Sequence, residues 1–148
     1  MKAVMYHYVG RDDTTPPYGY YHLDVDDFRR QLNYFEANYQ LLDSEAFFDT
    51  VRGDRSPRED DLVLTFDDGL TDHHEHVLPE LANRGLWGLF YVPAGPYLND
   101  VVLDVHRTHA LLGAHGGVAV SEVLTDIVTE SMITEDHREQ FEAVVYEN

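Results

Sequence analysis

Hydrophobic positions along the chain fall into two kinds of pattern, short apolar runs and three- or four-residue repeats. Ala3, Val4, Met5, Tyr6 and Val9 make an opening β-rich run over 2–9, closed by Gly10 and a turn-rich stretch with Asp12, Asp13, Pro16 and Pro17. From Leu23 the period changes: Phe28, Leu32 and Phe35 recur at helical spacing behind acidic residues, which predicts a helix with one inward face. Residues 39–42 form a short strand candidate. Ser44 with Glu45 can cap a second helix bearing Phe47, Phe48 and Val51, stopped by Gly53. After a charged loop over 54–60, residues 61–66 are an apolar run of strand length, of the kind buried on both faces in a parallel sheet. Residues 71–84 read as a helix with Val77, Leu78 and Leu81 inward and Gly85 past its end, and 86–92 as another buried strand. Beyond Pro93 the texture turns helical, over 105–112, 118–128 and 134–145.

Four strands alternating with three helices predict an α/β fold with a parallel sheet or barrel wrapped by helices, followed by a helical C-terminal third. With 148 residues, 43% of them hydrophobic, one domain with a sizeable core is expected. No run reaches the ~18 apolar residues of a membrane span, and the opening residues enter a strand pattern without a leader-like segment, so the chain as given reads as soluble and not exported, its location cytoplasmic or left open.

Charge and composition narrow the chemistry. A formal net charge of −18 argues against nucleic-acid and anionic-membrane partners. Lys2 is the only lysine, and the Asp-rich surface this implies resembles that of proteins from salt-loving organisms, where self-repulsion is screened over ~3 Å near 1 M salt. Cysteine is absent, so any metal must be held by histidine and carboxylate.

The chemistry concentrates at Thr65-Phe66-Asp67-Asp68-Gly69, two adjacent carboxylates at the carboxyl end of a buried strand, where catalytic groups of α/β barrels gather. Neighbours on an extended chain point to opposite sides, so one carboxylate can bind a metal while the other handles protons, and Gly69 lets the backbone turn. An isolated Asp-Asp-Gly would read simply as a turn.

The surrounding run resembles the polysaccharide deacetylase (NodB-like) family in order and spacing: Leu62 to Gly69, then Leu78-Pro79-Glu80-Leu81, Arg84-Gly85 and Gly88-Leu89-Phe90-Tyr91-Val92-Pro93, with Met5-Tyr6-His7-Tyr8-Val9 similar to that family's opening strand. The likeness covers roughly residues 1–97, the front part of the family's domain, with 98–148 as a helical segment of the same domain. It implies a partial distorted (β/α) barrel and metal-dependent hydrolysis of N-acetyl groups on a carbohydrate. Carried over onto matching positions, Asp67 is the general base and Asp68 a ligand of a divalent metal, usually zinc.

Part of the family pattern is missing. Its His-Ser/Thr-x-x-His motif has no counterpart among the nine histidines. The nearest pair, His106 and His109, stands three apart in a helix-like run and is the remaining candidate for metal ligation, against a plain reading as a half-exposed helix start. His73, His74 and His76 are expected on a solvated helix face, and His7 at the rim as a supporting group or a packed residue. The family's later motifs are not found after Tyr97, and about four strands are visible where a closed barrel takes around eight. The chain is therefore expected to be the N-terminal part of an enzyme and inactive alone. The open edge after Val92 would then be covered by the remainder of the barrel, by self-association or by the apolar positions Val123, Ile127, Phe141 and Val145. The alternative is a non-catalytic relative that binds a glycan or a partner chain.

Overall fold

The computed structural model describes residues 1–11, 21–129 and 132. The turn region around Asp12 to Pro17 and the helix expected over 134–145, with Phe141 and Val145, lie outside the described residues.

The architecture is α/β, organised around one central strand. β1 (Lys2–Tyr6), β2 (Val9–Gly10), β3 (Leu23–Asp24), α1 (Val25–Asn38), β4 (Gln40–Leu41), α2 (Ser44–Arg52) and β5 (Asp61–Asp67) follow in order. A π-helical turn (His73–Val77) then leads into α3 (Leu78–Arg84), β6 (Leu89–Tyr91), α4 (Ala94–Asn99), α5 (Asp104–His115) and α6 (Gly117–Ile127). β1 lies parallel along one side of β5, from Lys2 beside Leu62 to Tyr6 beside Phe66. Its other side is shared, β4 taking Asp61 and Leu62 and β6 taking Thr65 to Asp67, both parallel. All four strands of this sheet are parallel, as the alternating pattern requires, and the sheet stays open: barrel closure is not seen among the described residues.

Residues 61–66 are buried on both faces as expected, and the strand runs one residue further, through Asp67. Phe66 is fully buried, its ring stacked on Tyr6 at 5.3 Å and on Phe90 at 4.8 Å with Phe28 edge-on. Burying such a side chain is worth roughly 2–3 kcal/mol. Val25, Phe28 and Leu32 of α1 and Val77 and Leu81 beyond β5 close the core. Arg29 ties α1 to Glu80, and Arg84 reaches back to Glu36 and Asn33 at 2.6 Å.

Several boundaries differ from the expectation, each for a local reason. The opening strand is interrupted: β1 ends at Tyr6, where its pairing with β5 ends, and Val9–Gly10 pairs instead with Leu23–Asp24. His7 and Tyr8 are thereby left at the sheet's rim. The first helix begins at Val25 because Leu23 and Asp24 are spent on that pairing, and the Asp24 carboxylate accepts the Asp26 amide at 2.8 Å as its cap. In α2 the capping side chain is Asp43, accepting from the Ala46 amide at 2.8 Å, with Ser44 already inside the helix. Strand β6 is shorter than the apolar run 86–92, since Gly88 passes against the Phe66 ring, where a Cβ would stand 2.6 Å from a ring carbon.

In the helix after β5, His73 is buried and Leu78 is not, reversing the expectation for both. His73, Val77 and Leu81 stand four apart and share the inward face through the widened π turn, whereas Leu78 falls to one side. His74 is exposed, as expected of a solvated face, and His76 is half-buried. At the C-terminal side, the helices expected over 105–112 and 118–128 are present as α5 and α6, with the short α4 before them. Val123 and Ile127 remain more than half exposed, so this face of α6 does not cover the sheet edge.

Candidate active site

Pairing of Tyr6 with Phe66 brings the next residues along both chains, His7 just past β1 and Asp67 as the last residue of β5, side by side at the rim. Immediately after, the backbone leaves the extended region: Asp68 has φ 75° and Gly69 φ 59°. Left-handed backbone suits Asp better than most residues and Gly best. The consequence corrects the expectation that the two carboxylates face opposite ways. Alternation holds only along extended chain, and the left-handed Asp68 turns its side chain to the same cleft as Asp67. His7 Nε2 lies 3.9 Å from Asp67 Oδ2 and 3.8 Å from Asp68 Oδ2.

α5 supplies the opposite wall. His106 Nε2 stands 3.7 Å from Asp68 Oδ2, and that nitrogen is buried without a hydrogen-bond partner. Its other nitrogen, Nδ1, is 2.5 Å from the Tyr8 hydroxyl, which also lies 3.0 Å from His109 Nδ1. Of the two histidines singled out in the sequence, His106 therefore reaches the acidic pair. His109 sits across the Tyr8 hydroxyl and is not within 4 Å of either carboxylate.

Beneath the rim, His73 donates from Nε2 to the His7 carbonyl at 2.5 Å, anchoring the backbone that carries His7 and Tyr8. π turns recur at functional sites. A cleft of about 460 Å³ opens beside Asp68, bounded by Gly69, Thr71, Tyr97, Val102 and His106. The Tyr97 hydroxyl donates to the Gly69 carbonyl at 3.3 Å across its mouth. A second opening of about 480 Å³ exposes Asp67 and Asp68 beside Tyr91 and Val92.

The chain resembles three solved structures. IcaB from Ammonifex degensii matches over 64% of this chain and 39% of its own, at 25% identity and a TM-score of 0.51. A Streptococcus pyogenes deacetylase, PplD in complex with acetate, matches over 72% and 49%, at 21% identity and 0.50. A de-N-acetylase from Aggregatibacter actinomycetemcomitans matches over 60% and 35%, at 21% identity and 0.49. The fold is that of the polysaccharide deacetylases. Within this deacetylase fold the chain spans less than half the length of each neighbour. No protein-family model and no curated protein sequence matches it. Among the described residues no helix is long and apolar enough to cross a membrane.

The divalent ion that the family resemblance implies would need donors at metal-bridging separations. Bonds of ~2.1 Å place two ligand atoms of a tetrahedral ion roughly 3.4 Å apart. The separations of 3.7 Å (His106 to Asp68) and 3.8 Å (His7 to Asp68) are near that value and too long for hydrogen bonds. Among the described residues no group of three histidines or carboxylates is already drawn together as a cage. Asp68 and His106 fit as two ligands, and His7 is the nearest third.

Tyr8 is the site residue that sequence reading missed. Nothing in its spacing marks it, because His106 and His109 lie about a hundred residues away. The signal available was indirect: an aromatic hydroxyl next to a rim histidine.

Proposed function

We propose that this chain carries the base and metal side of a carbohydrate N-deacetylase, which hydrolyses acetamide groups on a glycan to acetate and free amine. The observation that carries this reading is the buried, unpartnered Nε2 of His106 facing Asp68, a carboxylate that also lines the neighbouring opening with Asp67. A buried polar atom left without a partner asks for a reason, and a cation shared with Asp68 supplies one.

Asp68 and His106, with His7 as the nearest third donor, would hold a divalent ion, zinc being the expected one. When bound, it supplies Lewis-acid polarisation of the carbonyl and a water acidified towards neutrality. Asp67, on the same side of the cleft, accepts the proton released as water adds to the acetamide carbon. Collapse of the adduct breaks the C–N bond, and the amine leaves as it takes up a proton.

The test pairs binding with turnover. Titration with zinc is expected to show one equivalent bound, with affinity reduced more than tenfold in Asp68→Ala and in His106→Ala. Acetate release from N-acetylglucosamine oligomers by the full coding sequence is expected to stop in Asp67→Asn. A folded protein that binds no zinc and releases no acetate, yet retains glycan, would favour the non-catalytic binding reading instead.

A further inference from the structure

A phenol has one proton, and the Tyr8 hydroxyl faces two imidazole nitrogens, His106 Nδ1 at 2.5 Å and His109 Nδ1 at 3.0 Å. It can donate to at most one of them, so in the other contact it accepts and that ring must carry its proton on Nδ1. The two contacts therefore have a direction, and the direction fixes which nitrogen of His106 is left bare.

Both arrangements can be compared at the far side of the ring. If Tyr8 donated to His106, neutral His106 would carry its proton on Nε2, a buried atom with no acceptor in hydrogen-bond range and Asp68 Oδ2 still 3.7 Å away. Orphaned buried N–H groups are rare, more so than under-satisfied acceptors. In the reverse arrangement His106 Nδ1–H donates to the Tyr8 oxygen, Tyr8 donates to His109 Nδ1, and Nε2 of His106 presents a lone pair to Asp68. His109 then holds its proton on Nε2, at the edge of a cavity of about 640 Å³ lined also by Tyr21, Leu112 and Gly113. An acceptor that also donates is a stronger acceptor, so the two bonds reinforce each other.

We propose that Tyr8 is a positioning residue: its hydroxyl links His109 to His106 and holds His106 with Nε2 unprotonated and aimed at Asp68. This rests on the metal reading above only for its purpose. The hydrogen-bond direction is a property of the chain itself. Second partners of ligating histidines serve this way generally, and their loss weakens metal binding 10- to 100-fold.

The direction can be read directly. Two-dimensional 15N–1H spectra of the imidazoles in the metal-free protein, with His106 assigned by its loss in His106→Ala, are expected to show His106 protonated on Nδ1 and bare on Nε2. In Tyr8→Phe, which keeps the ring, both tautomers of His106 should appear and zinc affinity should fall about tenfold, with the melting temperature close to that of the parent. Nε2 protonation of His106 in the parent protein would overturn the proposal, whatever the variant does. So would an unchanged tautomer in Tyr8→Phe. If His106→Ala binds zinc as tightly as the parent, the metal reading fails, while the spectra still decide the arrangement around Tyr8.

Discussion

At the start of β5, Asp61 is fully buried, and both of its oxygens are engaged: Arg55 donates to Oδ2 at 2.6 Å and Oδ1 at 2.7 Å, and the Arg58 amide to Oδ2 at 2.7 Å. Six residues on, at the strand's other end, Asp67 and Asp68 are a quarter exposed, and their nearest nitrogen neighbours are histidine rings at 3.7 to 3.9 Å. One strand thus carries a sealed carboxylate and an open pair. In the sealed site an arginine fork matches the carboxylate geometry and leaves no valence free. At the open end, titratable nitrogens stand just beyond bonding distance, which leaves room for a cation and a substrate. An acidic residue at a strand end is therefore not a site by itself. What separates the two is whether the partner is a fixed charge in contact or an exchangeable group held off.

The sharpest way to break this comparison is to neutralise each end in turn. Asp67→Asn is expected to lower acetate release at least ~100-fold, the usual scale for a lost general base, while shifting stability by under ~0.5 kcal/mol. Asp61→Asn should do the reverse, costing about 3 kcal/mol, or a fall of about 10 °C in melting temperature, with turnover per folded molecule kept. The figure sits at the low end for a broken buried pair because Arg55 remains 24% exposed. Equal stability losses in the two variants would erase the distinction.

A smaller effect should follow at the turn that creates the open end. Gly69 has φ 59°, and an added Cβ would approach a Val92 methyl at 2.9 Å. Gly69→Ala is expected to cost about 1–2 kcal/mol, measured by denaturant unfolding. It should also weaken zinc binding, because Asp68 moves with the turn. A loss of stability with zinc affinity intact would separate the turn from the site.

The smallest effect is in acid. Arg55, and after it the Arg58 amide, hold the Asp61 carboxyl down from 3.8 to about 2. A carboxyl lowered on folding contributes stability that is complete above its unfolded pKa and is lost as pH falls through the folded one. Thermal unfolding between pH 4 and pH 2 should therefore fall more steeply in the parent than in Asp61→Asn, the two curves approaching each other near pH 2. Parallel curves across that window would show that the pair does not set acid stability.

Much of this was legible in the chain. The apolar run ending in Asp67-Asp68-Gly69 determined a strand buried on both faces with its carboxylates at the rim, because only a central parallel strand tolerates six apolar-run positions together. Helical spacing of Phe28 and Leu32 determined the inward face of α1, and strand–helix alternation determined the parallel sheet. The tertiary structure alone decided which histidine meets the acids. His106 and His109 are equivalent by spacing, yet the placement of α5 turns both to the Tyr8 hydroxyl and only His106 onward to Asp68. It also decided that the two carboxylates share a cleft, through one left-handed residue, and that His73 turns inward, through one π turn. Periodicity reports the face a residue takes on its own element. It carries no information about a partner a hundred residues away, nor about a single backbone angle that reverses the face.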